Sequence, residues 1–149
     1  MSDMRDAYLR DPVAANAMIV EQYRATGGQL PPPLHGSRIL LLTTRGAKTG
    51  EDRTSPLGFV TDGGMHRMVL YASNIGADRD PGWCRNLRAN PDVVVEVGAE
   101  RFDARATVLD GGPERDRLFE LFTGQMPGTA AHQDRTGRTI PMVLVEQTG

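Results

Sequence analysis

The chain has 149 residues, enough for one domain with a real core but not for a large two-domain cleft, so a sizeable ligand belongs along the surface or at a subunit interface. Its 17 Lys and Arg against 19 Asp and Glu leave a formal net charge of -2, which excludes global attraction to nucleic acid and makes any phosphate recognition local. Cys84 is the only cysteine, which excludes an intrachain disulfide and a cysteine-cluster metal site.

Residues 11–26 read as a first helix, with Pro12 in its first turn and Val13, Ala14, Ala17, Met18 and Glu21 at rough three-to-four spacing. Gly27-Gly28 stops it, and residues 29–34, with three consecutive prolines, read as a stiff extended crossing. The expected organisation is an arm over residues 1–33 and a body over residues 34–149. The first thirty residues hold no long apolar segment and the run 39–42 is too short to span a bilayer, so a cytoplasmic location is expected.

The body reads as strand-rich. Residues 38–44 form a short buried strand and 55–61 a second, and Asp62-Gly63-Gly64 turns the chain into a third over 67–73. In that third strand Arg67, Val69, Tyr71 and Ser73 share one face while Met68, Leu70 and Ala72 share the other, implying a curved sheet covered on one side and partly open on the other. Asp80-Pro81-Gly82 opens a short helix that ends at Pro91 and sets Trp83, Asn86, Leu87 and Asn90 on neighbouring faces. Residues 92–97 and 101–109 form a hairpin whose second arm alternates, Phe102, Ala104, Ala106 and Val108 facing in. Gly111-Gly112-Pro113-Glu114 opens a helix through Phe122, and residues 139–146 return as a terminal strand. Antiparallel strands without a repeating strand-helix rhythm exclude a doubly wound nucleotide fold and fit a mainly β architecture with flanking helices, a small closed or split barrel.

Two segments carry candidate chemistry. The stretch Thr43-Thr44-Arg45-Gly46-Ala47-Lys48-Thr49-Gly50-Glu51-Asp52-Arg53 holds the sole lysine, three cations and three hydroxyls, without the spacing of a P-loop or a dinucleotide fingerprint. Its backbone N–H groups can converge on an anion, with Lys48 and Arg53 adding charge and the Thr44 and Thr49 hydroxyls filling remaining directions; an ordinary solvated strand connection is the alternative. Pro56-Leu57 follows on an edge-like strand, where proline leaves backbone groups for a planar ligand or simply marks the edge. In Tyr71-Ala72-Ser73-Asn74-Ile75-Gly76-Ala77, small residues let a flat ring approach the backbone at Gly76 and Ala77, and Ser73 and Asn74 can address its polar edges. A turn in which Asn74 bonds locally is the competing reading, as a core anchor is for Trp83. His35, His66 and His132 are scattered, no metal-ligand spacing or hydrolase elbow occurs, and the chemistry is therefore expected from a bound organic cofactor.

At these segments the chain resembles the deazaflavin (F420)-dependent nitroreductases, also described as F420H2-dependent quinone reductases, small split β-barrel proteins related in fold to FMN-binding pyridoxamine-phosphate oxidases. The likeness runs from about Leu34 to the end. It rests on Leu41 to Arg53 with Pro56-Leu57, on Ala72 to Ala77, on Pro81-Gly82-Trp83-Cys84-Arg85-Asn86-Leu87-Arg88-Ala89-Asn90-Pro91, and on Asp134-Arg135-Thr136-Gly137-Arg138-Thr139-Ile140-Pro141-Met142.

The resemblance implies that Lys48, Thr49 and Arg53 grip the F420 phosphate, with Arg45 substituting for the second cation that relatives carry where this chain has Ala47. It implies a deazaflavin ring against Pro56, Leu57 and the stretch Ser73, Asn74, Ile75, Gly76 and Ala77, supported by Trp83, Asn86 and Leu87. Hydride would pass to a quinone, an enone or a nitroaromatic, with Ser73, Asn74 or His132 meeting the developing negative charge. Met126, Thr129, His132 and Arg135 stand where the nitroimidazole-reducing relative has an aromatic wall, so nitroreduction carries over less directly than cofactor binding. FMN or haem in the same barrel, and F420 carriage without turnover, are the rival readings. A monomer or a homodimer is expected, with the N-terminal arm serving a subunit contact or a peripheral approach to a membrane.

Overall fold

The computed structural model describes residues 12–30 and 38–149, so the proline run of the arm lies outside the described residues. Seven strands form one antiparallel sheet: β1 (Ile39–Arg45), β2 (Asp52–Gly58), β3 (Val60–Thr61), β4 (Arg67–Tyr71), β5 (Asp92–Val97), β6 (Glu100–Leu109) and β7 (Met142–Gln147), in the order β2-β1-β5-β6-β7-β4-β3. The sheet curls into a half-barrel flanked by helices, the split-barrel architecture. Residues 55–61 do not form one strand as their composition suggests. The chain breaks at Phe59, whose N–H donates to the Arg38 carbonyl at 3.1 Å; β2 stays on β1 while β3 crosses to β4, so one segment joins both edges of the sheet.

Hydrophobic patterning follows how many faces of each strand are covered. Leu40 and Leu42 point into the barrel with Met68, Leu70, Val95, Val143 and Val145, whereas Leu41 points outward under helix α1 (Pro12–Thr26), against Ile19 and Tyr23. The continuous Leu40-Leu41-Leu42 run therefore reflects burial on both sides. The β4 strand is likewise covered twice: Met68 and Leu70 fill the barrel, while Val69 and Tyr71 pack under helix α3 (Pro113–Gln125) with Leu118 and Phe122. This corrects the expectation of a partly open face there. Only β6 keeps the clean alternation of a sheet with one wet face, Ala104 and Ala106 buried and Asp103, Arg105 and Thr107 exposed.

Two helices bracket the region where the candidate motifs meet. Helix α2 (Gly82–Ala89) inserts Cys84 and Leu87 into the barrel core, turns Asn86 toward the β1–β2 connection and sets Trp83 in a cleft with Pro56 and Leu57 of β2. Helix α4 (Ala130–Asp134), which the sequence pattern does not announce, packs on a 3-10 turn at Asn74–Gly76. The terminal strand starts at Met142 rather than at residue 139, because Arg138 and Ile140 are used to anchor loops before pairing begins. At the far end α1 is fixed by Tyr23, whose hydroxyl donates to the Ile39 carbonyl at 2.9 Å and accepts from the Gly98 N–H at 2.7 Å, and by a bidentate Arg24–Glu96 pair.

Candidate functional site

The β1–β2 connection is held closed from within. The Gly46 N–H donates to the Glu51 carbonyl at 2.7 Å, and the Gly50 N–H to the Gly46 carbonyl at 2.9 Å. Gly50 has φ +72°, a backbone geometry that favours glycine. Asn86 on α2 then pins the loop by both ends of its amide. Its Oδ1 accepts from the Ala47 N–H at 3.0 Å, and its Nδ2 donates to the Thr44 hydroxyl at 3.0 Å. Thr44, 1% exposed, is thus a buried strut and not an anion ligand, and the Thr49 hydroxyl accepts from the Glu51 N–H within the turn. Of the loop N–H groups, those of Lys48 and Thr49 keep no partner among the described residues.

What the fold adds is charge. The cleft beside this loop, about 430 Å³, is lined by Gly46, Ala47, Lys48, Thr49 and Arg53, and also by Arg79, Gly82, Arg85 and Asn86. Among the described residues Lys48, Arg79 and Arg85 have no ion-pair partner, and Arg53 reaches only Glu51, at 4.0 Å. Four cations line this cleft without a lining carboxylate, so it is locally electropositive. Arg45 does not join it. It lines a separate cleft with Asp52, Asp92 and Arg101 on the other side of β1, because alternate strand residues face opposite ways.

Arg53, Arg79, Gly82, Arg85 and Asn86 are shared with an adjoining cleft of about 550 Å³, so the two make one continuous groove. The second half is walled by Pro56 and Leu57 from β2, Trp83 from α2, and Ser73 and Asn74 from the loop after β4, with Asn16 of α1 at its rim. Trp83 is both groove wall and partner of the core. Leu87 is not on the surface of the groove; it is 2% exposed inside the barrel. The side chain of Ile75 lies outside the described residues.

The 72–80 loop is organised by Arg138. Its guanidinium donates to the carbonyls of Ala77 (2.9 Å), Arg79 (3.1 Å), Ser73 (3.2 Å) and Ala72 (3.3 Å) and pairs with Asp80 at 2.8 Å. Asp80 also meets Arg88 at 3.1 Å, so this groove carboxylate is neutralised from two sides while Arg79 and Arg85 stay free. Asn74 holds φ 48° and donates from Nδ2 to the Arg79 carbonyl at 3.2 Å. Gly76 is small for a reason other than ring approach. A Cβ there would lie 2.8 Å from Arg135 Cβ and 2.9 Å from the His132 carbonyl oxygen, so the glycine admits α4.

His132 stands behind Ser73, with Nδ1 and Oγ 2.9 Å apart, and stacks on Tyr71 at 6.0 Å between centroids and 6° between planes. Burial, then the nearby Arg135 guanidinium, hold its pKa below the usual histidine value. Burial pushes the Tyr71 phenol up. Burial also raises Cys84 to about 11, which disfavours a thiolate nucleophile.

The structure brings Lys48, Arg53, Pro56, Leu57, Ser73, Asn74, Trp83 and Asn86 together along the groove, and adds Arg79, Arg85 and Asn16 to its lining and Arg138 behind it, which the sequence reading did not name as site residues. Arg85 had a local signal, since it lies on the face of α2 opposite buried Cys84 and Leu87. Arg79 and Asn16 had none, because only the docking of α2 and α1 on the sheet brings them to the groove.

Residues 16–147 match the family described as F420H2-dependent quinone reductase. The F420H2-dependent quinone reductase Rv1261c of Mycobacterium tuberculosis is 39% identical over 126 residues, covering 83% of this chain and 83% of that protein. A solved structure of an F420-H2 dependent reductase, FDR-A, is 37% identical with a TM-score of 0.65, covering 73% of this chain and 94% of that one. Another, described as a domain-swapped dimer, is 34% identical with a TM-score of 0.67 over 95% of this chain and 99% of that one. The family match extends from α1 to the end of the last strand, and the chain belongs to the F420H2-dependent quinone reductase family.

Proposed function

We propose that this oxidoreductase binds reduced F420 in the groove and reduces a small planar electrophile, a quinone, an enone or a nitroaromatic. The observation that carries the reading is one continuous groove with Lys48 at one end, Arg53, Arg79 and Arg85 along the stretch shared by both halves, and an aromatic and hydroxyl-bearing wall at the other end. A cofactor that joins a flat ring to a phosphate and a carboxylate tail matches that division. Four cations exceed what a single phosphate monoester needs, which favours F420 over FMN. When bound, the reduced deazaflavin supplies a hydride.

The residues do the rest. Lys48, Arg53, Arg79 and Arg85 hold the anionic end, and the free N–H groups of Lys48 and Thr49 direct it. Trp83, Pro56 and Leu57 hold the ring plane and exclude water along one side. Ser73 presents a hydroxyl that can donate toward negative charge developing on the substrate, and Asn74, whose Nδ2 donates to the Arg79 carbonyl, holds the loop beside it.

The test is separate titration of F420 and FMN into the purified protein, followed by oxidation of F420H2 with each class of electrophile. F420 should bind more tightly than FMN, and Lys48→Ala with Arg53→Ala should weaken F420 at least about a hundredfold in a protein that stays folded. Equal affinity in that double variant would overturn the reading, and tight binding without turnover across the panel would make the protein a carrier.

A further inference from the structure

Behind the ring-side wall stands a layer that the proposed chemistry leaves unused. Ser73, 8% exposed, lines the groove; His132 lines neither half of it and touches Ser73 from behind, 2.9 Å from Nδ1 to Oγ. The ring and the helix that carries it are held in three ways. Tyr71 stacks under it, Gly76 lets the backbone of α4 come against the 3-10 turn, and the next residue, Gln133, is tied down at both ends of its amide. Gln133 Oε1 accepts from Arg115 Nη2 at 2.9 Å and from the Ile140 N–H at 2.9 Å, and Nε2 donates to the Arg138 carbonyl at 2.6 Å. So much anchoring of a five-residue helix fixes one distance, that from the imidazole to the Ser73 hydroxyl.

We infer that His132 is a proton-relay residue that acts on the groove through Ser73, and that Gly76 is the positioning residue that admits its helix. The inference rests on the reading that the groove holds an acceptor of hydride. Once hydride from the two-electron donor leaves negative charge on the substrate, the Ser73 O–H bond breaks toward that charge and its electron pair remains on Oγ. The Nδ1–H bond of the imidazolium breaks toward Oγ, the serine is restored, and the neutral imidazole regains a proton from solvent.

The charged and titratable groups around the imidazole are few. Arg135 lies on its own helix, and Tyr71 faces it from β4. Arg115 of α3 acts on Tyr71, as do Asp134 and Arg138, and Arg115 is itself occupied by the Ile140 carbonyl, Gln133 and Asp116. The 3-10 turn contributes no titratable group. Since burial and Arg135 lower the imidazole pKa, the relay empties as pH rises, at a midpoint below the ordinary 6.5.

Imidazole nitrogen resonances of His132, titrated in the ligand-free protein, read the coupling without turnover. The midpoint should lie below 6.5, and both midpoint and Nδ1 shift should move in Ser73→Ala and in Gly76→Ala. In turnover, wild-type kcat should fall with rising pH at that same midpoint. His132→Gln, which keeps a hydrogen-bonding side chain that cannot titrate, should give a flat profile with kcat lowered at least about tenfold at low pH and an F420 Kd within about twofold. A His132 titration indifferent to Ser73→Ala, or a His132→Gln enzyme that keeps the wild-type pH limb, would overturn the relay. Failure to oxidise F420H2 with any electrophile sinks the functional reading instead, and the resonance titration still decides the coupling.

Discussion

Asn86 separates folding from binding at a single position, because each end of its amide makes a different bond across the junction of α2 with the β1–β2 loop. Asn86→Ala removes the donor to the buried Thr44 hydroxyl and the acceptor for the Ala47 N–H, at a cost of about 1–2 kcal/mol in stability. Asn86→Asp is the sharper variant. A carboxylate still accepts from the Ala47 N–H, and the Thr44 hydroxyl can rotate to donate to it, so the loop stays pinned. The new negative charge, however, sits in the wall shared by both halves of the groove, beside Arg53, Arg79 and Arg85. Unfolding should therefore barely change while F420 affinity falls at least about tenfold, measured by thermal unfolding and fluorescence titration on the same sample. Equal losses in both would mean that the amide serves the fold alone.

At the level of elements, the weakest-looking strand, β3 with two residues, has charge added to its short ladder on β4. Asp62 at its end accepts two bonds from Arg117 of α3, at 3.0 and 2.8 Å, and one from Arg67 of β4 at 3.1 Å. Arg117 first, and Arg67 with it, bring the carboxyl from an ordinary 3.8 to about 2, against the opposing effect of burial. A folded pKa below the unfolded one stabilises the fold at pH values above 3.8, and that contribution disappears as pH falls toward 2. Asp62→Asn should lower the Tm at pH 6, and the gap to wild type should close between about pH 4 and pH 2. A pH-independent gap would assign the effect to packing. Strand faces and helix starts were legible in the residues because alternation and Gly-Pro punctuation are local; the break at Phe59 and helix α4 were not, since both depend on what the chain meets in space.

Over the whole molecule the net charge of -2 hides a strongly polarised surface. Among the described residues most arginines outside the groove pair with carboxylates, as in Arg24–Glu96, Arg67–Asp62, Arg88–Asp110 and Arg138–Asp80, while the cations of the groove are left unpaired or nearly so. Composition could exclude a global field but not show this sorting, because pairing is decided by tertiary contacts such as α2 against β1. The lone lysine was visible in the sequence; the company it keeps was not. Local, unpaired charge has a measurable signature. With a Debye length of about 10 Å at 0.1 M salt, shrinking to about 3 Å at 1 M, screening acts over the breadth of such a groove. Raising salt across that range should weaken F420 at least about tenfold. FMN, with one phosphate to place, should lose less. Arg85→Gln, which removes one cation from the part of the groove shared by both halves, should flatten the F420 salt dependence as well as lower the affinity, whereas Arg45→Gln, on the separate cleft, should change neither. A salt-independent affinity, or equal effects of the two substitutions, would mean that the ring contacts hold the ligand and that the cations do not.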